Sequence, residues 1–77
     1  MDLNLFLENF AAQFDDTDID EIKAETAFKE LEEWSSLTAL SIIAMVDEEY
    51  EVSIKGDDIR NAITVEDLYN IVVSKLG

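Results

Sequence analysis

Glu33-Trp34-Ser35-Ser36-Leu37 is the segment at which an acidic loop turns into a run of residues with helical apolar spacing. This spacing predicts a helix over residues 36–50. Ser35 suits the N-cap of that helix, which leaves the neighbouring Ser36 hydroxyl pointing outward from the first turn. The start of a helix offers unpaired N–H groups and the positive end of the macrodipole, so it favours an attached phosphate. A serine at this place is more often only a cap, so the position alone indicates little.

The length and composition predict one small globular domain over residues 1–77. Hydrophobic residues make up 48% of the chain, which argues against disorder despite the high charge. No apolar run reaches the roughly 18 residues that a membrane span needs, and the first residues lack the pattern of a signal peptide. We therefore expect a cytoplasmic protein without a membrane span, and we expect it to be monomeric.

The charge is strongly negative, because 19 acidic residues stand against 5 basic ones and give a formal net charge of −14. Such a surface argues against nucleic-acid binding and attracts basic patches on other proteins. The sequence contains no cysteine and no histidine, which removes thiolate or imidazole metal sites and Ser-His or Cys-His catalysis. No pair of carboxylates has a reason to meet in a pocket, so we do not expect an enzyme.

A metal site is not expected either. Asp16, Asp18 and Asp20 alternate like the opening of a calcium-binding loop. Such a loop next needs glycine, where Glu21 stands, and later a bidentate acid, where Ala27 stands. The segment is therefore interpreted as a solvated acidic loop.

Periodicity and caps predict two further main helices. The first covers residues 2–14 with Asp2 as its N-cap, and the last begins at Val65 after the N-cap Thr64. A short helix over residues 57–61 precedes the last one. The predicted buried residues are Leu3, Phe6, Leu7, Phe10, Ala11 and Phe14 in the first helix, Val52 and Ile54 after the second, and Val65, Leu68, Tyr69, Val72 and Leu76 in the last. The second helix has a broad apolar face made of Leu37, Leu40, Ile43, Ala44, Met45, Val46 and Tyr50. The fold class is all-α, a small bundle of three main helices plus one short helix.

Several segments together resemble the acyl carrier proteins. Ser35-Ser36-Leu37 is similar to the Asp-Ser-Leu attachment motif of that family, and residues 36–50 resemble its second helix without a gap. Residues 25–28 resemble its loop anchor, and residues 63–68 resemble the start of its last helix. Periodicity leaves residues 15–35 undecided, whereas the resemblance implies a long first loop. Its expected apolar anchors are Ile19, Ile22, Phe28 and Leu31, and Trp34 is expected to pack against the loop.

The resemblance implies a function and a site. A phosphopantetheinyl transferase would attach 4'-phosphopantetheine from coenzyme A to the Ser36 hydroxyl, and the arm would carry acyl intermediates as thioesters. The pathway would be fatty-acid or related lipid or polyketide biosynthesis. The implied partners are the transferase and acyl-transferring and synthase enzymes with basic patches. The implied contacts with them are Leu37, Leu40, Met45, Asp47, Glu48 and Glu49.

Some positions depart from the family pattern and leave alternatives open. Ser35 replaces the usual aspartate, Thr38 and Ser41 are uncharged where many members are acidic, and Glu33 replaces a common glycine. These changes bear on the choice of partners, and a peptidyl or D-alanyl cargo stays possible. The alternative from another class is an unmodified acidic interaction module or inhibitor, which explains the charge without using Ser36.

Overall fold

The computed structural model describes residues 2–76, so Met1 and Gly77, the ends of the predicted domain, lie outside the described residues. Four α-helices follow one another: α1 (Leu3–Ala11), α2 (Ser36–Tyr50), α3 (Gly56–Asn61) and α4 (Val65–Leu76). Residues 2–76 contain no strand. The predicted all-α bundle of three main helices and one short helix is confirmed.

Helix α1 begins as predicted and ends earlier. The Asp2 carboxylate caps it by accepting a hydrogen bond from the Asn4 amide at 2.9 Å. The helix was expected to reach Phe14, but it ends at Ala11 and the chain continues in tight turns, with the Phe14 amide donating to the Ala11 carbonyl at 3.0 Å. These turns keep Phe14 buried, which explains why its spacing still resembled a helix.

Helix α2 has the predicted bounds, and the core uses only part of its predicted apolar face. Met45 and Val46 of that face enter the core together with Ile42, which the face did not include, whereas Leu37 and Leu40 are 76% and 61% exposed. Ala44, on the same predicted face, is exposed as well. The helix carries apolar residues on more than one side, so periodicity could not decide which side the core would use.

The first loop is long but not without structure. It contains two single-turn 3₁₀ helices, Ile19–Glu21 and Phe28–Glu30. Its carbonyls also accept hydrogen bonds from the first amides of α4, with Val65 bonded to Thr26 at 3.1 Å and Glu66 bonded to Ala24 at 2.9 Å. The loop therefore holds α4 in place.

Three of the four predicted loop anchors pack against the core, and one does not. Ile22 and Phe28 are buried as expected, and Leu31 is partly buried against the core. The prediction for Ile19 is wrong because its side chain is 48% exposed in the first 3₁₀ turn. Trp34 packs as predicted, with its ring edge-to-face on Phe28 at 5.0 Å between centroids.

The second half of the chain closes the bundle. Val52 and Ile54 are buried, as predicted, and α3 begins at Gly56, one residue earlier than expected. Thr64 caps α4 by accepting from the Asp67 amide at 3.1 Å. In return, the Asp67 carboxylate accepts from the Thr64 and Ile63 amides, which lowers the pKa of Asp67.

The core joins all four helices and the loop. It is built around a line of aromatic contacts that runs from α1 to the loop, and the fully buried members of the core are Phe6, Phe10, Phe28, Ile42, Val46, Ala62, Val65, Leu68 and Val72. Leu76 was predicted to join this set, but it is 49% exposed at the end of α4. The helix projects past the core there, so the apolar stripe extends beyond the surface that it buries.

Candidate functional site

The two adjacent serines at the start of α2 have different surroundings. Ser35 is the N-cap: its Oγ accepts a hydrogen bond from the Thr38 amide at 3.3 Å and lies 3.2 Å from the Thr38 hydroxyl. Ser36 is exposed in the first turn, and no hydrogen bond joins its hydroxyl to any other residue within 2–76. Of the two hydroxyls, only that of Ser36 makes no hydrogen bond to residues 2–76.

A carboxylate fixes the loop that leads to these serines. Glu33 accepts hydrogen bonds from the Asp15 and Asp16 amides, both at 2.9 Å, and from the Thr17 hydroxyl at 2.7 Å. The Thr17 hydroxyl, with the two amides, holds the pKa of Glu33 below its usual value against an opposing effect of desolvation. The Glu33 carbonyl also accepts from the Thr38 hydroxyl at 3.1 Å, so the clamp reaches the first turn of α2.

Sequence reasoning noted Glu33 only as a replacement for glycine and missed this role. The residues that it contacts lie 16 to 18 positions earlier in the chain. Neither periodicity nor a local cap motif reports a contact over that distance, so the sequence carried no signal for it.

An open groove lies beside Ser36, between α2 and α3, with a volume of about 730 Å³. The large apolar residues that line it are Trp34, Leu40, Ile43 and Ile59. A volume of this size is typical of sites for small organic ligands. The remaining lining residues are Lys29, Ser35, Ala39, Lys55, Gly56, Asp57 and Arg60.

Most of the residues predicted to contact partners lie on the surface. Leu37 and Leu40 are exposed near Ser36, and the acidic residues 47–49 are all exposed at the far end of α2. Met45 is different, because only 5% of it is exposed and its side chain belongs to the core. The structure does not support Met45 as a surface contact, since the core covers almost all of its side chain.

The residues at the start of α2 fit an attached phosphodiester. The Ser36 hydroxyl is exposed and unbonded, and it stands on the first turn of a 15-residue helix, where the macrodipole favours negative charge. The groove beside it leaves space for the remainder of a flexible arm.

Comparisons with known proteins bear on this site. The sequence model of one protein family, described as "Phosphopantetheine attachment site", matches residues 6–72. A search of curated proteins and a search of solved structures gave no match. No helix within residues 2–76 is both long enough and apolar enough to cross a membrane.

Proposed function

Since the chain belongs to the phosphopantetheine attachment-site family, we propose that Ser36 is the residue that bears the arm. Members of the family carry 4'-phosphopantetheine covalently and act as carriers for other enzymes without catalysing a reaction themselves. The prediction of a non-enzymatic carrier is confirmed at this level. The proposal concerns which residue bears the arm, which cargo the arm carries and which enzymes the carrier serves.

The observation that carries the proposal is the contrast between the two serines. The Ser35 hydroxyl is used in capping, and its loss would leave the Thr38 amide without its side-chain acceptor. The Ser36 hydroxyl caps nothing, is exposed, and borders the groove. Modification of Ser36 would thus leave the fold unchanged.

The attachment is a group transfer onto Ser36 Oγ. A phosphopantetheinyl transferase removes the hydroxyl proton, and Oγ forms a bond to the phosphorus next to the pantetheine part of coenzyme A. The bond from that phosphorus to the oxygen of the departing adenosine bisphosphate breaks, and the leaving group takes up the electron pair. Ser36 is then linked through a phosphodiester, whose negative charge the start of α2 favours.

The arm supplies a terminal thiol for thioester formation, which a chain without cysteine cannot provide. The chain's own residues hold and present the cargo. Trp34 and the Glu33 clamp fix the loop that leads to Ser36, and Trp34 lines the groove beside Ser36 together with Leu40 and Ile43.

We infer that the cargo belongs to fatty-acid or related lipid or polyketide biosynthesis. The support is the apolar wall of the groove beside Ser36, together with the resemblance to acyl carrier proteins. The chain bearing the arm should accept a malonyl group from malonyl-coenzyme A through an acyltransferase of fatty-acid synthesis, measured as an increase in intact mass. Loading by an amino-acid-activating enzyme instead would assign a peptidyl or aminoacyl cargo and contradict this part of the proposal.

The exposed acids at the end of α2 are proposed to dock on basic patches of the partner enzymes. Charge complementarity of this kind raises the association rate and makes it sensitive to salt. Glu48→Lys should slow transferase loading and flatten its dependence on salt. Glu8→Lys makes the same change in net charge on α1, where Glu8 is equally exposed. Equal loading rates for the two variants would contradict docking through Glu48.

An unmodified acidic module was the alternative. It is not kept, because the family match covers residues 6–72 and the family carries a covalent arm.

A further inference from the structure

The basic residues of this acidic chain are unevenly placed. The sequence has five lysines and arginines, and three of them, Lys29, Lys55 and Arg60, line the groove beside Ser36. Only one acid, Asp57, lines it with them. The groove wall therefore carries a formal charge of +2 (three cations and one anion) on a molecule whose net charge is −14.

The three cations are bound to different extents. Lys29 donates to the Arg60 carbonyl at 2.8 Å, which joins the loop to α3. Arg60 pairs with Asp57 within α3, and both side chains are about three-quarters exposed. Lys55 is exposed, and its ammonium has no hydrogen-bond or ion-pair partner within residues 2–76. Lys55 is therefore a free charge at the groove, in a chain that has 19 acids available for pairing.

The groove thus combines two kinds of surface. Trp34, Leu40 and Ile43 make its wall apolar next to Ser36, and Lys55 and Arg60 make the α3 side cationic. An aliphatic chain alone would use the apolar wall and leave the Lys55 ammonium without a partner among the described residues. A ligand that uses both has an apolar body and an anionic end.

We infer that the groove receives an acyl group whose far end is a carboxylate, with the aliphatic part against the apolar wall and the carboxylate beside Lys55 and Arg60. This inference rests on the proposed attachment at Ser36, which anchors the arm beside the groove, so that the arm must fold back for its cargo to enter. It narrows the cargo to acyl groups derived from dicarboxylic acids.

The phosphate of the arm is a weaker candidate for these cations. It is bonded to Ser36 itself, at the start of α2, whereas Lys55 and Arg60 belong to the segment that begins α3 and to α3. A groove of about 730 Å³ is also far larger than a single phosphate needs, and it has the size of a site for a whole organic group.

The test uses an adipoyl group labelled with ¹³C at its free carboxyl, loaded as adipoyl-phosphopantetheine by a promiscuous transferase. Three chains are compared: wild type, Lys55→Gln as the groove variant, and Lys23→Gln as the control variant. Both substitutions change the net charge from −14 to −15, but Lys23 does not line the groove. Intact mass and the Ser36→Ala variant first establish that the group is on Ser36.

The ¹³C signal then reports the pKa of the cargo carboxylate in each chain. A nearby cation favours the ionised form, so its removal raises this pKa. We expect the groove variant to raise it by about 0.2 to 0.7, the range of an exposed ion pair, and the control variant to leave it at the wild-type value. Arg60→Gln is a second groove variant and should act in the same direction.

Three results would overturn the inference. Equal values in the groove and control variants would show that the cations do not contact the cargo, while the loaded mass would leave the attachment proposal intact. A response of the ³¹P signal of the arm in place of the ¹³C signal would assign the cations to the phosphate. Failure to load Ser36 at all would overturn both proposals together.

Discussion

At the residue scale, the site depends on which hydrogen bonds the polar side chains around Ser36 make. Ser35 and Thr38 are hydrogen-bonded to each other at the start of α2, and the Thr38 hydroxyl also donates to the carbonyl of Glu33 in the loop before the helix. The Ser36 hydroxyl lies among these bonded groups with no hydrogen bond to another residue of 2–76. Under the proposal, an exposed hydroxyl thus stands beside hydrogen-bonded neighbours, which suits an enzyme that acts on it.

The Glu33 clamp makes a prediction about acid stability. Because folding lowers the pKa of Glu33, its contribution to stability is complete above the unfolded value of about 4.3 and is lost as the pH falls through the lower folded value. Glu33→Gln should be less stable than wild type at pH 7 and lose less stability on acidification below about pH 4.3. Urea unfolding over a pH series measures both.

Glu32→Gln is the matched control for this experiment. Glu32 is exposed beside Glu33, and its carboxylate has no bonded partner among the described residues. It should follow the wild-type pH profile. The clamp would be disproved as a source of stability if Glu33→Gln also followed that profile.

At the element scale, α2 connects the proposed attachment site to the proposed docking surface. Its C-cap, Glu51, has a left-handed backbone with φ of 55°, a conformation that favours glycine. Three further acids precede it in the last turn, where negative charge opposes the macrodipole. The end of α2 therefore carries both backbone strain at Glu51 and an unfavourable interaction between its acids and the macrodipole. An acidic surface that docks on partner enzymes would explain this cost.

Glu51→Gly should stabilise the chain by about 1 kcal/mol, because it removes the left-handed strain and one unfavourable charge. Glu49→Gly removes the same charge inside the helix, where glycine costs roughly 0.5–1 kcal/mol relative to alanine, so it should not stabilise. Urea midpoints of both variants give the comparison. Stabilisation by neither variant, or by both equally, would contradict the role of the left-handed cap.

The elements differ in how far the sequence could predict them. The starts of α1, α2 and α4 were predictable because Asp2, Ser35 and Thr64 bond to amides two or three residues away. The side of α2 that faces the core could not be predicted, because apolar residues occur on more than one side of the helix. Only the packing of the whole bundle buries Ile42 and leaves Leu40 exposed.

The site itself divides in the same way. Ser36, Leu37 and Leu40 could be proposed because they lie next to one another on one short segment, and the structure leaves all three exposed. The basic side of the groove could not be proposed from the sequence, because Lys29 lies in the first loop, whereas Lys55 and Arg60 lie at and in α3, up to 31 residues later. Their meeting is a product of tertiary structure alone.

At the scale of the whole molecule, charge repulsion opposes folding. The net charge is −14, and only two ion pairs, Arg60 with Asp57 and Lys75 with Asp58, occur within residues 2–76. Most carboxylates therefore have no cationic partner, and the compact state brings them closer together. This cost is consistent with a surface kept for attracting basic partners.

Salt should accordingly stabilise the chain. Raising the ionic strength from about 0.01 M to about 0.15 M shortens the Debye length from about 30 Å to about 8 Å, which screens the repulsion. We expect the thermal midpoint to rise over this range. A variant with Asp47→Asn, Glu48→Gln and Glu49→Gln has a net charge of −11, three negative charges fewer. Its thermal midpoint should rise less over the same range of ionic strength. An equal gain in both chains would mean that salt acts by another route.

The attachment of the arm to Ser36 is the central claim, and intact mass tests it most directly. Wild type, Ser36→Ala and Ser35→Ala are each incubated with a promiscuous phosphopantetheinyl transferase and coenzyme A. We predict one phosphopantetheine increment in wild type and in Ser35→Ala, and none in Ser36→Ala. The Ser36→Ala variant should fold as wild type does, because the Ser36 hydroxyl bonds to no other residue of 2–76. An increment that persists in Ser36→Ala, or its absence from wild type, would contradict the claim.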